Sequence, residues 1–141
     1  MVPTNDINYS AVDCIVCGIC LKINNLIYII MSFVGTELKI CVSIDPIDGH
    51  TMYKNVDGNL VIDIHYELEF YTSNKRKKVT CSYLDCIPND ENSCIALVDT
   101  STIGAGELIC VIRAYVPDSN FKDGSRTEVD VIKTNIIINK V

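Results

Sequence analysis

The sequence predicts an all-β protein: an immunoglobulin-like antiparallel β-sandwich of about seven strands with an apolar N-terminal hairpin or arm. Three observations carry that prediction. β-Branched residues dominate the apolar fraction, with 21 Ile and 14 Val against 4 Ala and no Trp. Such side chains suit pleated surfaces and are stiff in helices. Apolar and polar residues alternate with period 2 over several stretches beyond residue 36. Turn signals separate those stretches at intervals of roughly ten residues, as in sandwich folds.

The 141 residues fit one such domain, preceded by an apolar docking segment: 1–36 is the segment and 37–141 the sandwich. Residues 15–34 are apolar enough to suggest a membrane span, but Lys22, Asn24 and Asn25 fall at its middle. A lysine there costs about 2.5–3.5 kcal/mol. Asn24-Asn25 reads instead as a two-residue turn between apolar strands, since Asn tolerates positive φ; a helix broken at the Asn pair is the alternative. Such a segment is expected to be covered by the domain or by another subunit. Ile15, Ile19, Leu26, Ile27, Ile29, Ile30 and Phe33 are its candidate interface residues.

From Glu37 to Ile44, Leu38, Ile40, Val42 and Ile44 alternate with Glu37, Lys39, Cys41 and Ser43. Asp45-Pro46, Asp48-Gly49 and Asp57-Gly58-Asn59 then read as turns. Leu60 to Phe70 predicts one eleven-residue strand. Its even-numbered residues face inward, and its wet face carries Asp63, His65, Glu67 and Glu69. A polar tip, Ser73 to Lys78, leads to a strand with Val79, Cys81 and Tyr83. Pro88 to Ser93 reads as a polar loop and Cys94 to Val98 as a short strand. Glu107 to Val116 carries apolar residues on both faces and is expected to be central. Pro117 to Ser125 is the longest loop. The final strand, 126–141, shifts its apolar set from Val129 and Val131 to Ile136 and Ile138, which predicts a bulge near Lys133-Thr134.

Composition also bounds the chemistry. Eighteen acidic residues against twelve basic ones give a net charge of −6, which argues against a protein that coats nucleic acid. A hydrophobic content of 48% excludes intrinsic disorder and exceeds what a free monomer of this size needs. The N-terminal ten residues lack a basic region and an apolar core, so no secretory signal is expected and the eight Cys are expected to remain thiols.

Cys14, Cys17 and Cys20 form C-x-x-C-x-x-C, a spacing able to ligate zinc or open an iron–sulfur site. No fourth ligand follows in sequence, and residues three apart on a strand point to opposite faces. The expectation is therefore structural thiols, with no metal and no cofactor, and a cytosolic Cys-rich metal-binding module as an alternative. Lys75-Arg76-Lys77-Lys78, the only basic cluster, reads as a solvated hairpin tip that blunts edge pairing. Gly104-Ala105-Gly106 precedes a strand, not a helix, and so reads as a turn rather than a phosphate loop. In Asp118-Ser119-Asn120-Phe121-Lys122-Asp123-Gly124, glycine falls one place late for a calcium loop and Lys122 occupies a ligand position. Asp118, Asn120, Phe121 and Asp123 are retained as a possible ligand loop. His50 and His65 are isolated and no nucleophile motif occurs, so the chain is not expected to be an enzyme.

The run Ile95 to Leu108, with Thr100-Ser101 and Gly104-Ala105-Gly106-Glu107-Leu108, then Arg113 to Val129 with Asp123-Gly124-Ser125-Arg126, resembles small β-sandwich virion proteins of tailed phages of gut Bacteroidales (crAss-like phages). Those proteins are associated with head fibres, tail fibres and baseplates. The resemblance covers roughly residues 37–141 and its motifs are structural. It implies a virion structural protein assembled in the host cytoplasm: a capsid-attached head-fibre or fibre-base component acting by oligomerisation and docking. The partners it implies are other virion proteins of capsid or tail and further copies of the chain, with no nucleic acid and no membrane. A tail or baseplate adhesin domain binding host surface glycans is the alternative it leaves open.

Overall fold

The computed structural model describes residues 12–16, 30–74 and 77–141. Within them run β1 (Val12–Val16), β2 (Ile30–Phe33), β3 (Glu37–Ser43), β4 (Tyr53–Val56), β5 (Asn59–Ile62) and β6 (His65–Thr72). There follow β7 (Lys78–Ser82), β8 (Ile87–Asp90), β9 (Ser93–Asp99), the single turn of helix α1 (Thr100–Ile103), β10 (Gly106–Pro117) and β11 (Ser125–Asn139). One sheet has the order β1-β3-β9-β8, the other β2-β11-β10-β6-β7, and β4-β5 is a separate hairpin. Neighbours are antiparallel except for β1 with β3 and β2 with β11, which are parallel. The chain crosses repeatedly between the two sheets of the sandwich, β3 to β6 and β9 to β10. The all-β sandwich expected from the sequence is the observed fold.

Period-2 patterning sets the core. Ile40 and Val42 of β3 and Cys94, Ala96 and Val98 of β9 face Tyr66, Leu68 and Phe70 of β6, Leu108, Cys110 and Ile112 of β10, and Ile136 and Ile138 of β11. Each fully buried large apolar side chain contributes roughly 1.5–3 kcal/mol. Asp48-Gly49 and Asp57-Gly58 are two-residue turns in which both residues have positive φ, the conformation that Asp-Gly accommodates and tight hairpins need.

Four expectations change. The strand 60–70 is two strands. Asp63 N–H donates to Met52 O and Ile64 N–H to Thr51 O, so the chain swings from the β4-β5 hairpin into β6. The period-2 pattern runs through this break because Ile64 is buried on the same side as Tyr66. Pro88 does not lie in a loop: Ile87–Asp90 pairs with β9 as an edge strand, where a proline is tolerated.

The face of β11 was also misassigned by apolarity. Val129 and Val131 are 56% and 60% exposed, and the inward positions opposite Ala114, Ile112 and Cys110 are Glu128, Asp130 and Ile132. A bulge does lie at Thr134–Ile136, where Asn135 takes φ 63°, but it adds two residues and leaves the inward set on even positions throughout. Lastly, β1 and β2 are not paired with each other: β1 joins one sheet and β2 the other. The Asn24-Asn25 turn lies outside the described residues.

Candidate functional site

The chemistry-bearing surface is built on β11 and its surroundings. From Ser125 to Asn135 this strand has a neighbouring strand on its β10 side alone, among the described residues, and β2 takes the other side only from Ile136. Its outer face presents Val129 and Val131 beside Val111 of β10. Farther along the same sheet, β2 exposes Met31 and Phe33. Val131 N–H donates to the carboxylate of the preceding Asp130 (2.9 Å), so a side-chain oxygen takes the place a neighbouring strand's carbonyl would hold. On the inner side the two sheets part. A cleft of about 160 Å³ lies between Ile44 and Ile47 on one side and Ile112, Ala114, Glu128, Val129 and Asp130 on the other. Carboxylates can occupy inward positions of β11 because this end of the sandwich is open.

Arg126 secures the start of β11. Its Nη1 meets Asp48 Oδ2 (2.7 Å) and Asp118 Oδ2 (2.8 Å), and its Nε meets Glu128 Oε2 (2.9 Å). Asp118 Oδ1 also accepts Asn120 N–H (3.0 Å), while Asp118 N–H donates to Gly124 O (2.8 Å). Hydrogen bonds from Asn120 N–H and from Arg126 hold the Asp118 carboxyl below its usual range. Asp118 is thus the closing brace of its loop. Phe121 and Asp123 project from that loop into solvent.

The opposite edge, β7, has a different character. Lys78 Nζ and Arg113 Nη1 each lie 3.0 Å from Glu69 Oε2. The Lys78 hydrogen bond holds Glu69 below the usual carboxylate range, against the opposing effect of burial and with help from Arg113. His65 stacks on Tyr83 (ring centroids 4.4 Å apart), and His50 Nδ1 lies 3.4 Å from Asp63 Oδ1. Asp63 therefore does not share the wet face of His65. Burial opposes its ionisation, but Thr51 N–H, His50 and Lys54 outweigh burial and lower its pKa.

Cys41, Cys81, Cys86, Cys94 and Cys110 are buried thiols with no disulfide. Cys86 and Cys94 hydrogen-bond one another beside Tyr66, whose hydroxyl also meets that of Tyr53. Burial pushes the Cys81 thiol up to about 11 and the Tyr53 phenol up to about 12. The hydrogen bond with Cys86 raises Cys94, and the same bond lowers Cys86. A thiol without solvent access is a core filler whatever its neighbours.

Of the residues singled out from sequence, Cys14 and Ile15 lie in β1 and Ile30 in β2. Cys17, Cys20, Ile19, Leu26, Ile27 and Ile29 lie outside the described residues. Phe33 is exposed beside Met31. No group of three His, Cys, Asp or Glu side chains able to hold a metal occurs among the described residues, and no helix among them is long and apolar enough to cross a membrane. The structure brings Asp118 to Arg126, Asp48 and Glu128, a cluster the sequence reading missed because its members come from three separate segments. The exposed Val129–Val131 pair was missed because apolar residues were read as inward. No protein-family model, curated protein or solved structure matches the chain.

Proposed function

We propose that this chain is a virion structural protein of a tailed phage, a capsid-attached head-fibre or fibre-base component that acts by oligomerisation and docking. The observation that carries the reading is the exposed apolar surface of the five-stranded sheet: Met31 and Phe33 on β2, Val129 and Val131 on β11. Apolar side chains grouped along a sheet margin, next to strand edge without a neighbour among the described residues, suit contact with other protein. The resemblance of residues 37–141 to phage virion proteins supplies the class of assembly. The apolar sequence of residues 14–34 fits the docking role, and its described ends lie in β1 and β2, at the margins of the two sheets. Mass spectrometry of purified particles from the phage that encodes the chain tests the reading. The chain is expected at a fixed copy number per capsid, and its absence from particles would overturn the proposal.

A tail or baseplate adhesin is the second reading, favoured by one observation: Phe121 stands half exposed on a loop closed by Asp118 and Gly124. An aromatic ring on a fixed loop offers a stacking face for a sugar. Binding of host surface glycans that is lost in Phe121→Ala would support this reading, and no binding by the native chain would dismiss it.

A further inference from the structure

We infer that the open edge of β11 pairs with the same edge of a second copy, Glu128–Thr134 running antiparallel to Glu128–Thr134 about a two-fold axis at Val131. The two five-stranded sheets then become one. This deepens the assembly reading by naming one contact through which copies of the chain meet.

Three observations lead there. Among the described residues, β11 has only β10 beside it from Ser125 to Asn135, so its other row of main-chain groups points away from β10 toward no described strand. The direction of that row is fixed by Val131, whose N–H goes to Asp130 and not to β10. Residues alternate in an antiparallel ladder, so Val129, Val131 and Lys133 all aim N–H and C=O at the open edge. The stretch has no proline and no bulge before Thr134, and its outer face carries two exposed valines; its inward charges, Glu128 and Asp130, guard an edge only where a pairing sets like charges opposite each other.

The strand is self-complementary in one register, and charge selects it. A two-fold pairing of identical strands requires facing residues whose numbers sum to a constant even value, so that both side chains lie on one face. With the axis at Asp130, that carboxylate faces its own copy. With the axis at Val129, Glu128 faces Asp130, and with the axis at Glu128, it faces itself. Like charges directly opposite destabilise a pair. With the axis at Val131, Asp130 faces Ile132, Glu128 faces Thr134, Val129 faces Lys133, and Val131 meets Val131. Moving the axis on to Ile132 shortens the pairing, because β2 occupies the edge from Ile136. Val131 is thus the centre of the longest register that opposes no like charges, and it gathers four valines on the outer face.

The test is the mass of the full-length chain by light scattering after size exclusion, over a range of concentrations. The native chain is expected to form dimers or even-numbered assemblies. Val131→Pro is expected to halve that mass while the circular dichroism spectrum is retained, since the lost N–H serves no β10 bond. Val131→Lys provides the same loss without a proline. Cross-linking fixes the register. In Val131→Cys, diamide should take two electrons and two protons from the facing thiols, yielding an intermolecular disulfide and the reduced hydrazine. Val129→Cys, opposite Lys133, should not cross-link. A monomeric native chain, an unchanged mass in both Val131→Pro and Val131→Lys, or equal cross-linking at 129 and 131 would overturn the inference. An oligomer that survives both substitutions removes this edge and leaves the assembly reading standing, because that reading is judged by the composition of particles.

Discussion

The two margins of the five-stranded sheet are opposites. β7 presents Lys78, Thr80 and Ser82 outward, with Lys78 held on Glu69, and Lys78 ends a sequence run of four consecutive basic residues, 75–78. Charged side chains along an edge are the usual guard against stray strand pairing. β11 presents Val129 and Val131 at the corresponding positions, and the only lysine on that stretch, Lys133, stands at its end. Among the described residues, one margin is guarded by charge and the other presents apolar side chains beside strand edge with no neighbour. Composition does not explain this, since both strands alternate; what differs is which side chains occupy the outward phase.

The contrast between the faces of β11 itself gives the largest expected effect. Ile136 is fully buried between the sheets, whereas Val131 is mostly in solvent. Ile136→Ala should cost about 2–5 kcal/mol, through lost transfer energy and the cavity left behind. Val131→Ala should change monomer stability by no more than about 0.5 kcal/mol. Urea denaturation of both variants measures the difference. Equal costs would mean that the outer valines are packed as a core, and the open edge would lose its meaning.

The next effect locates where the open edge stops. Thr100 Oγ1 donates to Thr36 O (2.8 Å) and accepts Gly35 N–H (3.0 Å), and Val34 N–H donates to Asn139 O (2.9 Å). These bonds hold the turn through which β2 leaves the end of β11. Thr100→Val keeps the shape and the Thr100 N–H bond to Thr36 O, but leaves the Gly35 N–H without its hydroxyl acceptor, which should cost about 0.5–1.5 kcal/mol. Hydrogen exchange should show faster exchange at Val34 and Gly35, with Val111 unchanged. Uniform acceleration over the whole sheet would show that β2 is not a separable end cap.

These margins explain what could be read from sequence and what could not. Alternation in residues 65–72 and 106–117 was legible because one face is buried by the facing sheet and the register admits no slip. The same rule failed for 126–133. The inner face there borders a cleft and tolerates Glu128 and Asp130, while the outer face is apolar, so polarity pointed the wrong way. Asp63 was misread for a related reason: its neighbours keep period 2, but its carboxylate turns back to Thr51 N–H, a contact between segments twelve residues apart. The Arg126 cluster depends on the start of β11 meeting the Asp48 turn and the Asp118 loop, and it has no local signature. Chain-local forces were visible in the sequence; choices made where the sheets separate were not.

Changing the guarded edge to resemble the open one should create association where there is none. Lys78→Val with Thr80→Val removes the charge and leaves two β-branched residues facing outward on β7, like Val129 and Val131 on β11. In a Val131→Pro background, which isolates the β7 edge, light scattering should show new concentration-dependent association. A chain that stays monomeric would show that valines on an edge are insufficient, and that the β11 stretch owes its character to its length and register.

The smallest effect is the pH dependence of the guard itself. The pKa of Glu69 is lowered in the folded chain, chiefly by the hydrogen bond from Lys78. A carboxylate with a depressed folded pKa adds stability that is fully present above its unfolded value, near 4.5, and is lost as pH falls through the folded one. Lys78→Ala should therefore lower stability at neutral pH by less than about 1 kcal/mol, since the lysine is half exposed. Below the folded pKa of Glu69 the native chain and Lys78→Ala should converge, because the protonated carboxyl no longer attracts the lysine. Urea midpoints measured at neutral pH and at successive values below 4.5 test this. A difference that persisted undiminished into acid would mean that Lys78 stabilises β7 by packing its methylene stem against the sheet, and that the edge is guarded by bulk instead of charge.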